Sequence, residues 1–122
     1  MHIHSRAINY FVQNSKGVFM WQNKVSLTGR VSSTGEEVEL PSGDTITKFR
    51  VVVPRDKPVT KTTIDTIDCV AFKAGVQSKI MKLETDDVVE IEGALRRRFW
   101  QTGSGSASRV EVEVATLKSV KI

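Results

Sequence analysis

The sequence predicts an all-β protein, a small closed barrel of five strands with one short helix between the third and fourth strands. Five segments alternate apolar and polar residues with a period of two, which is typical of strands that bury one face. One further segment has the longer apolar period of a helix. Single glycines interrupt the first and fourth strands, at Gly29 and Gly93, as expected where a strand bends at the corner of a barrel.

Length and composition favour one globular domain. The chain has 122 residues, of which 39% are hydrophobic and 26% charged, close to the globular average. No apolar run approaches the roughly 20 residues of a membrane-spanning helix, so we expect no membrane association. The formal charge of +4 permits a polyanionic partner without requiring one. Because the single cysteine, Cys69, cannot form an internal disulfide and the N-terminus has no secretory pattern, we expect a cytoplasmic protein.

The first 22 residues differ from the rest of the chain. They show neither a helical stripe nor a clean alternation, so we assign residues 1–22 to an N-terminal extension of uncertain order and residues 23–122 to the barrel domain. Within the barrel, a turn at Pro41–Gly43 joins the first two strands, and Lys48 and Arg50 take the outward parity of the second. The apolar positions expected to face the core on these two strands are Val25, Leu27, Val31, Phe49, Val51 and Val53.

The third strand follows a proline-containing loop with Arg55 and Lys57, and its parity points Cys69 inward and Phe72 outward. A helix follows, since Val76, Ile80 and Leu83 are spaced i, i+4 and i+7. The last two strands are joined by a Gly/Ser-rich hairpin tip. Their inward positions are Val89, Ile91, Leu95, Val110, Val112 and Val114, and their outward positions include Arg96, Arg98, Trp100, Glu111 and Glu113. This order of strands and helix is the layout of a five-stranded OB barrel.

The sequence does not support a catalytic function. His2 and His4 have no further metal-ligating residues beside them, and Cys69 has no candidate base. Every aspartate and glutamate takes an outward strand parity or lies in a turn, where a carboxylate is expected to be solvated. No glycine-rich motif for phosphates or dinucleotides occurs. We therefore expect no enzyme activity, no metal and no cofactor.

Aromatic and basic residues share the outward parity instead. Burying a large ring stabilises a fold by about 1.5 to 3 kcal/mol, so an outward ring suggests a ligand. Unpaired bases stack on exposed rings with about 1 to 3 kcal/mol per base, a magnitude that describes OB folds as a class. Two alternatives stay open: Trp100 capping the barrel or lying in a subunit interface, and Phe72 lying under the helix. The candidate nucleic-acid-binding residues are Phe72, Trp100, Arg96, Arg98, Arg50, Lys48, Arg55 and Lys57.

Four segments resemble, in order and spacing, the bacterial single-stranded DNA-binding protein family over residues 23–122: NKVSLTGRV, LPSGDTITKFRVVV, DCVAF and VVEIEGALRRRFW. The resemblance implies that Trp100 and Phe72 stack bases and that Arg50, Arg96 and Arg98 line the DNA path. It also has departures. The family commonly carries a tryptophan near the start of the third strand and another in the loop before it, where this chain has Thr66 and, nearest, Lys57, so we expect weaker stacking.

The resemblance further implies a homotetramer, with a homodimer as the alternative, in which first strands of two subunits pair through the segment from Val25 to Val31. Family members typically continue into an acidic tip that recruits replication and repair proteins, whereas this sequence ends in KSVKI. We therefore do not expect such partners to be recruited through an acidic tip.

The predicted function is sequence-independent binding and protection of single-stranded DNA in replication, recombination and repair. One alternative is a primosomal-type OB protein whose main role is to contact a partner protein. A third and weaker hypothesis is a nuclease or other metal enzyme on an OB scaffold, for which the sequence offers no ligand set.

Overall fold

A computed structural model describes residues 11–14 and 17–120 of the chain. It contains seven strands and one helix. The elements are β1 (Phe11–Asn14), β2 (Gly17–Met20), β3 (Val25–Glu39), β4 (Thr45–Pro54), β5 (Ile64–Ala71), α1 (Ala74–Met81), β6 (Val88–Thr102) and β7 (Gly105–Val120). No helix among these residues is long and apolar enough to cross a membrane.

Five strands close into a barrel in the order β3-β4-β5-β7-β6. All neighbours pair antiparallel except β5 and β7, which pair in parallel through Cys69 with Val112 and Val70 with Glu113. The long strand β3 closes the barrel because it pairs with β6 along its first half and with β4 along its second. The helix α1 lies between the third and fourth barrel strands, so the predicted OB barrel is confirmed.

The two predicted bends correspond to close backbone approaches. A Cβ atom on Gly93 would clash with the backbone carbonyl of Glu113, and the ladder between β6 and β7 shifts register at this position. A Cβ atom on Gly29 would lie 2.8 Å from the carbonyl oxygen of Val52. Gly29 stands next to Arg30, the residue at which β3 changes partner from β6 to β4. Both glycines therefore permit barrel closure.

The core lies inside the barrel and under the helix. As predicted, Val76, Ile80 and Leu83 of the helical segment are buried. The side-chain amide of Gln77 donates hydrogen bonds to the carbonyl oxygens of Thr45 and Ala71, at 2.8 and 3.0 Å, and so ties the helix to β4 and β5. The barrel residues packed in the same core include Val31, Phe49, Val51, Cys69, Val89, Ile91, Val112 and Val114.

Val52 and Val70, which take the outward parity of Arg50 and Phe72, are buried. Three further predictions from strand parity are wrong in the hairpin of β6 and β7. Parity predicts that Leu95 and Val110 face the core, but both are about half exposed, and it predicts a solvated Glu111, which is only 3% exposed. Beyond Gly93, β6 pairs with β7 alone, and β7 pairs with β5 only at Val112 and Glu113, so the hairpin beyond Leu95 and Val112 forms a two-stranded ribbon. Leu95 and Val110 line an open groove, whereas the carboxylate of Glu111 is enclosed with the guanidinium of Arg98.

The N-terminal extension contains structure that the hydrophobic pattern does not predict. Strands β1 and β2 pair antiparallel as a separate two-stranded sheet. Each has only four residues, too few for a recognisable alternation.

Candidate nucleic-acid interface

The predicted residues of β4 and β6 lie on outward sheet positions in defined register. Arg50 stands opposite Asp68 of β5 in the ladder. Arg98 stands opposite Arg109 of β7, and Trp100 stands opposite Ala107. Because paired residues of an antiparallel ladder project to the same side, the ribbon presents Arg98, Arg109 and Trp100 together.

Both predicted stacking rings are accessible. Phe72 is 45% exposed, at the junction between β5 and α1, so the helix does not bury it. Trp100 is 42% exposed, near the end of β6. Within this chain, neither ring belongs to the buried core.

Trp100 lines a groove between two hairpins, which we call the ring groove. One wall is the turn after β3, at Leu40 and Pro41, and the other is the ribbon at Phe99 and Trp100. The groove has a volume of about 510 Å³. Its remaining lining residues are Lys48, Arg98 and Arg109.

A smaller pocket of about 90 Å³ contains Arg50, Asp68 and Glu111 in its lining, and it shares Lys48 and Arg109 with the ring groove. The two shared cations therefore connect Arg50 with Trp100 across β4, β7 and β6. The other predicted site residues, Phe72, Arg55, Lys57 and Arg96, line neither cavity.

Each predicted arginine is held by a carboxylate from a neighbouring strand. The nitrogen-to-oxygen distances are 2.8 Å for Arg50 and Asp68, 2.9 Å for Arg96 and Glu113, and 2.7 Å for Arg98 and Glu111. Arg55 donates from both Nε and Nη2 to Asp65, at distances down to 2.8 Å. The carboxylates thus orient the arginines and offset part of their charge.

The pair of Arg55 and Asp65 also changes the acidity of both groups. The hydrogen bond between them, together with their opposite charges, raises the pKa of Arg55, and the same hydrogen bond lowers the pKa of Asp65. Both groups therefore stay charged at neutral pH, and Arg55 is anchored at the end of β4.

Sequence reasoning missed two side chains of the ring groove. Phe99 is 68% exposed, and Arg109 is exposed as well. Arg109 shares the parity of Glu111 and Glu113 and could have been found by extending the alternation of the last strand backwards. Phe99 has the parity of Leu95, and only the projection of the ribbon past the barrel explains its exposure.

Other chemistry has little support in the part of the chain that the structure describes. Burial, followed by the charges of Asp68 and Glu111, raises the pKa of Cys69 to about 12, which leaves this thiol unreactive at neutral pH. No group of three or more metal-ligating side chains occurs among the described residues, and His2 and His4 lie outside them. The one buried carboxylate of the described chain, Glu111, is compensated by Arg98.

Comparison with known proteins agrees with this geometry. No curated protein sequence matches the chain significantly. Among solved structures, the chain is similar to a single-strand binding protein of Plasmodium falciparum in complex with single-stranded DNA, at a TM-score of 0.67 and 24% identity. That match covers 84% of this chain and 98% of the other, and it shows a shared fold. The model of the single-strand binding protein family matches residues 22–120. The chain therefore belongs to the single-strand binding protein family.

Proposed function

We propose that this protein binds single-stranded DNA without sequence preference and protects it during replication, recombination and repair. The observation that carries the proposal is the exposure of Trp100 in a groove that also holds three cations, Lys48, Arg98 and Arg109. Membership of a family of binding proteins supports it as well.

The mechanism follows from what the two kinds of side chain can bind. An aromatic ring stacks on the flat face of any base, and that face is available only when the base is unpaired. Trp100 and Phe72 would therefore select single strands and tolerate any sequence. Cations beside the rings bind phosphates, which are the same for every nucleotide. Duplex DNA presents the same phosphates, but the faces of its paired bases are not available for stacking.

The ribbon of β6 and β7 extends the site beyond the barrel. It carries Trp100 past the barrel wall, so a strand can contact the ring and the outer face of β4 at the same time. The carboxylate pairs fix Arg50 and Arg98 in direction before DNA arrives, which lowers the entropy lost on binding.

Self-association is part of the proposal, as a homotetramer or a homodimer. The segment Val25–Gly29 of β3 pairs with β6 on one side, and its ladder with β4 begins only at Arg30. Within the described residues, this segment therefore has a free backbone edge, which favours pairing with a second copy.

A protein-contacting role of the primosomal type is the second candidate. It is favoured by an apolar groove of about 390 Å³ whose lining includes the half-exposed side chains of Leu95 and Val110. Exposed apolar grooves are typical of protein contacts.

A fluorescence titration separates these candidates. The chain has two tryptophans, Trp21 and Trp100, and stacking of a base on Trp100 quenches its emission. We expect oligo-dT to quench the Trp21→Phe variant, which retains only Trp100, at concentrations at which duplex DNA of equal length does not. Equal quenching by duplex, or none by oligo-dT, would contradict the proposal and favour a protein partner.

A further inference from the structure

We propose that Lys48 and Arg109 form a phosphate-binding subsite at the junction of the two cavities, and that they neutralise more of the DNA charge than the carboxylate-paired arginines do. The inference deepens the proposed function and rests on it. Its ligand class is the phosphodiester of a single strand whose base occupies the ring groove.

The first argument is charge balance. Arg50, Arg96 and Arg98 each bond a carboxylate at 2.9 Å or less. Lys48 and Arg109 have no ion pair or side-chain hydrogen bond within the described chain, although both line the ring groove and the smaller pocket. An anion that reaches this junction can therefore bind them without displacing a carboxylate.

The second argument is repulsion. Arg98 and Arg109 stand directly opposite each other in the antiparallel ladder, a position in which like charges destabilise a sheet. Glu111 compensates Arg98 and leaves Arg109 uncompensated. A ligand phosphate at this position would remove the repulsion.

The third argument is position. Leu40, Phe99 and Trp100 line the same groove as the two cations. A base stacked on Trp100 brings its own phosphate into the groove that Lys48 and Arg109 line. Glu36 is an opposing charge, since it stands across the ladder from Lys48, but the two side chains form no ion pair in the described structure.

The main test compares two variants that lose equal charge. Lys48→Gln/Arg109→Gln removes the subsite, whereas Lys82→Gln/Lys118→Gln removes two lysines that line a separate groove of about 1050 Å³ on the barrel. The logarithm of the affinity for oligo-dT is measured against the logarithm of the NaCl concentration. Each lost contact with a single strand should make the slope shallower by about 0.7, so we expect a change of about 1.4 for the first variant. The loss of affinity relative to the wild type should then be roughly 25-fold larger at 0.1 M salt than at 1 M.

Two further readouts exclude unfolding as the cause. Because the repulsion with Arg98 is relieved, the melting temperature of Lys48→Gln/Arg109→Gln without DNA should be equal to or above that of the wild type. Glu36→Gln removes the carboxylate opposite Lys48 and should bind oligo-dT more tightly than the wild type.

The outcomes separate the subsite from the function. If the wild type fails to prefer oligo-dT over duplex, both proposals are wrong. If the wild type binds oligo-dT and the two double variants change the slope equally, the subsite alone is overturned. A lowered melting temperature for Lys48→Gln/Arg109→Gln, with no gain of affinity in Glu36→Gln, would also overturn it.

Discussion

At the scale of single residues, Thr47 places a hydroxyl in the core with no hydrogen-bond partner among the described residues. Burying an unpaired hydroxyl costs roughly 1 to 3 kcal/mol. We expect Thr47→Val, which keeps the branched shape, to raise the free energy of unfolding by about 1 kcal/mol in urea denaturation. The control is Thr45→Val at an exposed position of the same strand, expected to change stability by less than about 0.5 kcal/mol. If Thr47→Val is instead less stable than the wild type, the hydroxyl of Thr47 has a hydrogen-bond partner in the folded protein.

Cys69 makes a second prediction at this scale. Its pKa is about 12 in the folded protein, against an ordinary value near 8.5 in the unfolded chain. As pH rises above 9, the unfolded chain loses this proton first, so the thiol contributes to a loss of stability between about pH 9 and pH 12. Cys69→Ala should lose less stability than the wild type over that range in thermal melts. If the two proteins lose equal stability, the pKa of Cys69 in the folded protein is close to its ordinary value.

At the scale of elements, we expect replacement of glycine by alanine to have opposite effects in a strand and in the helix. Gly93→Ala would place a methyl group against the carbonyl of Glu113, so we expect a loss of roughly 2 kcal/mol or more. Gly75 lies in the helix α1 with open space around its Cα, and Gly75→Ala should stabilise the protein by about 0.5 to 1 kcal/mol. Urea denaturation measures both. If both variants are destabilised, the position of a Cβ atom at Gly75 is not open, contrary to this account.

The elements themselves were largely predictable because burial imposes its period on the sequence. The alternation around Phe49 and the i, i+4, i+7 spacing from Val76 correspond to buried faces in the structure. The same reasoning misplaced Leu95, Val110 and Glu111. Parity gives the side of a strand that a residue takes, but burial also requires side chains packed against it, and Leu95 and Val110 instead line an open groove.

At the scale of the whole molecule, the site depends on contacts between strands that lie far apart in the sequence. Sequence parity correctly placed Phe72 and Trp100 outside the core, and it brought Lys48, Arg98 and Trp100 to one surface. It could not give the ion pairs of the arginines, because each depends on the register between two strands. The outward position of Arg109 follows from the strand alternation, but its place opposite Arg98, in one groove with Lys48, depends on the same register.

The affinity of Trp100→Ala for oligo-dT, measured beside its melting temperature, tests the central claim most directly. If Trp100 stacks a base, the variant should bind roughly 5- to 150-fold more weakly, with a melting temperature within about 2 °C of the wild type. Ile64→Ala, which removes another exposed apolar side chain of the barrel, serves as the control and should bind like the wild type. Unchanged affinity with a large fall in melting temperature would show that Trp100 supports the fold and does not hold DNA.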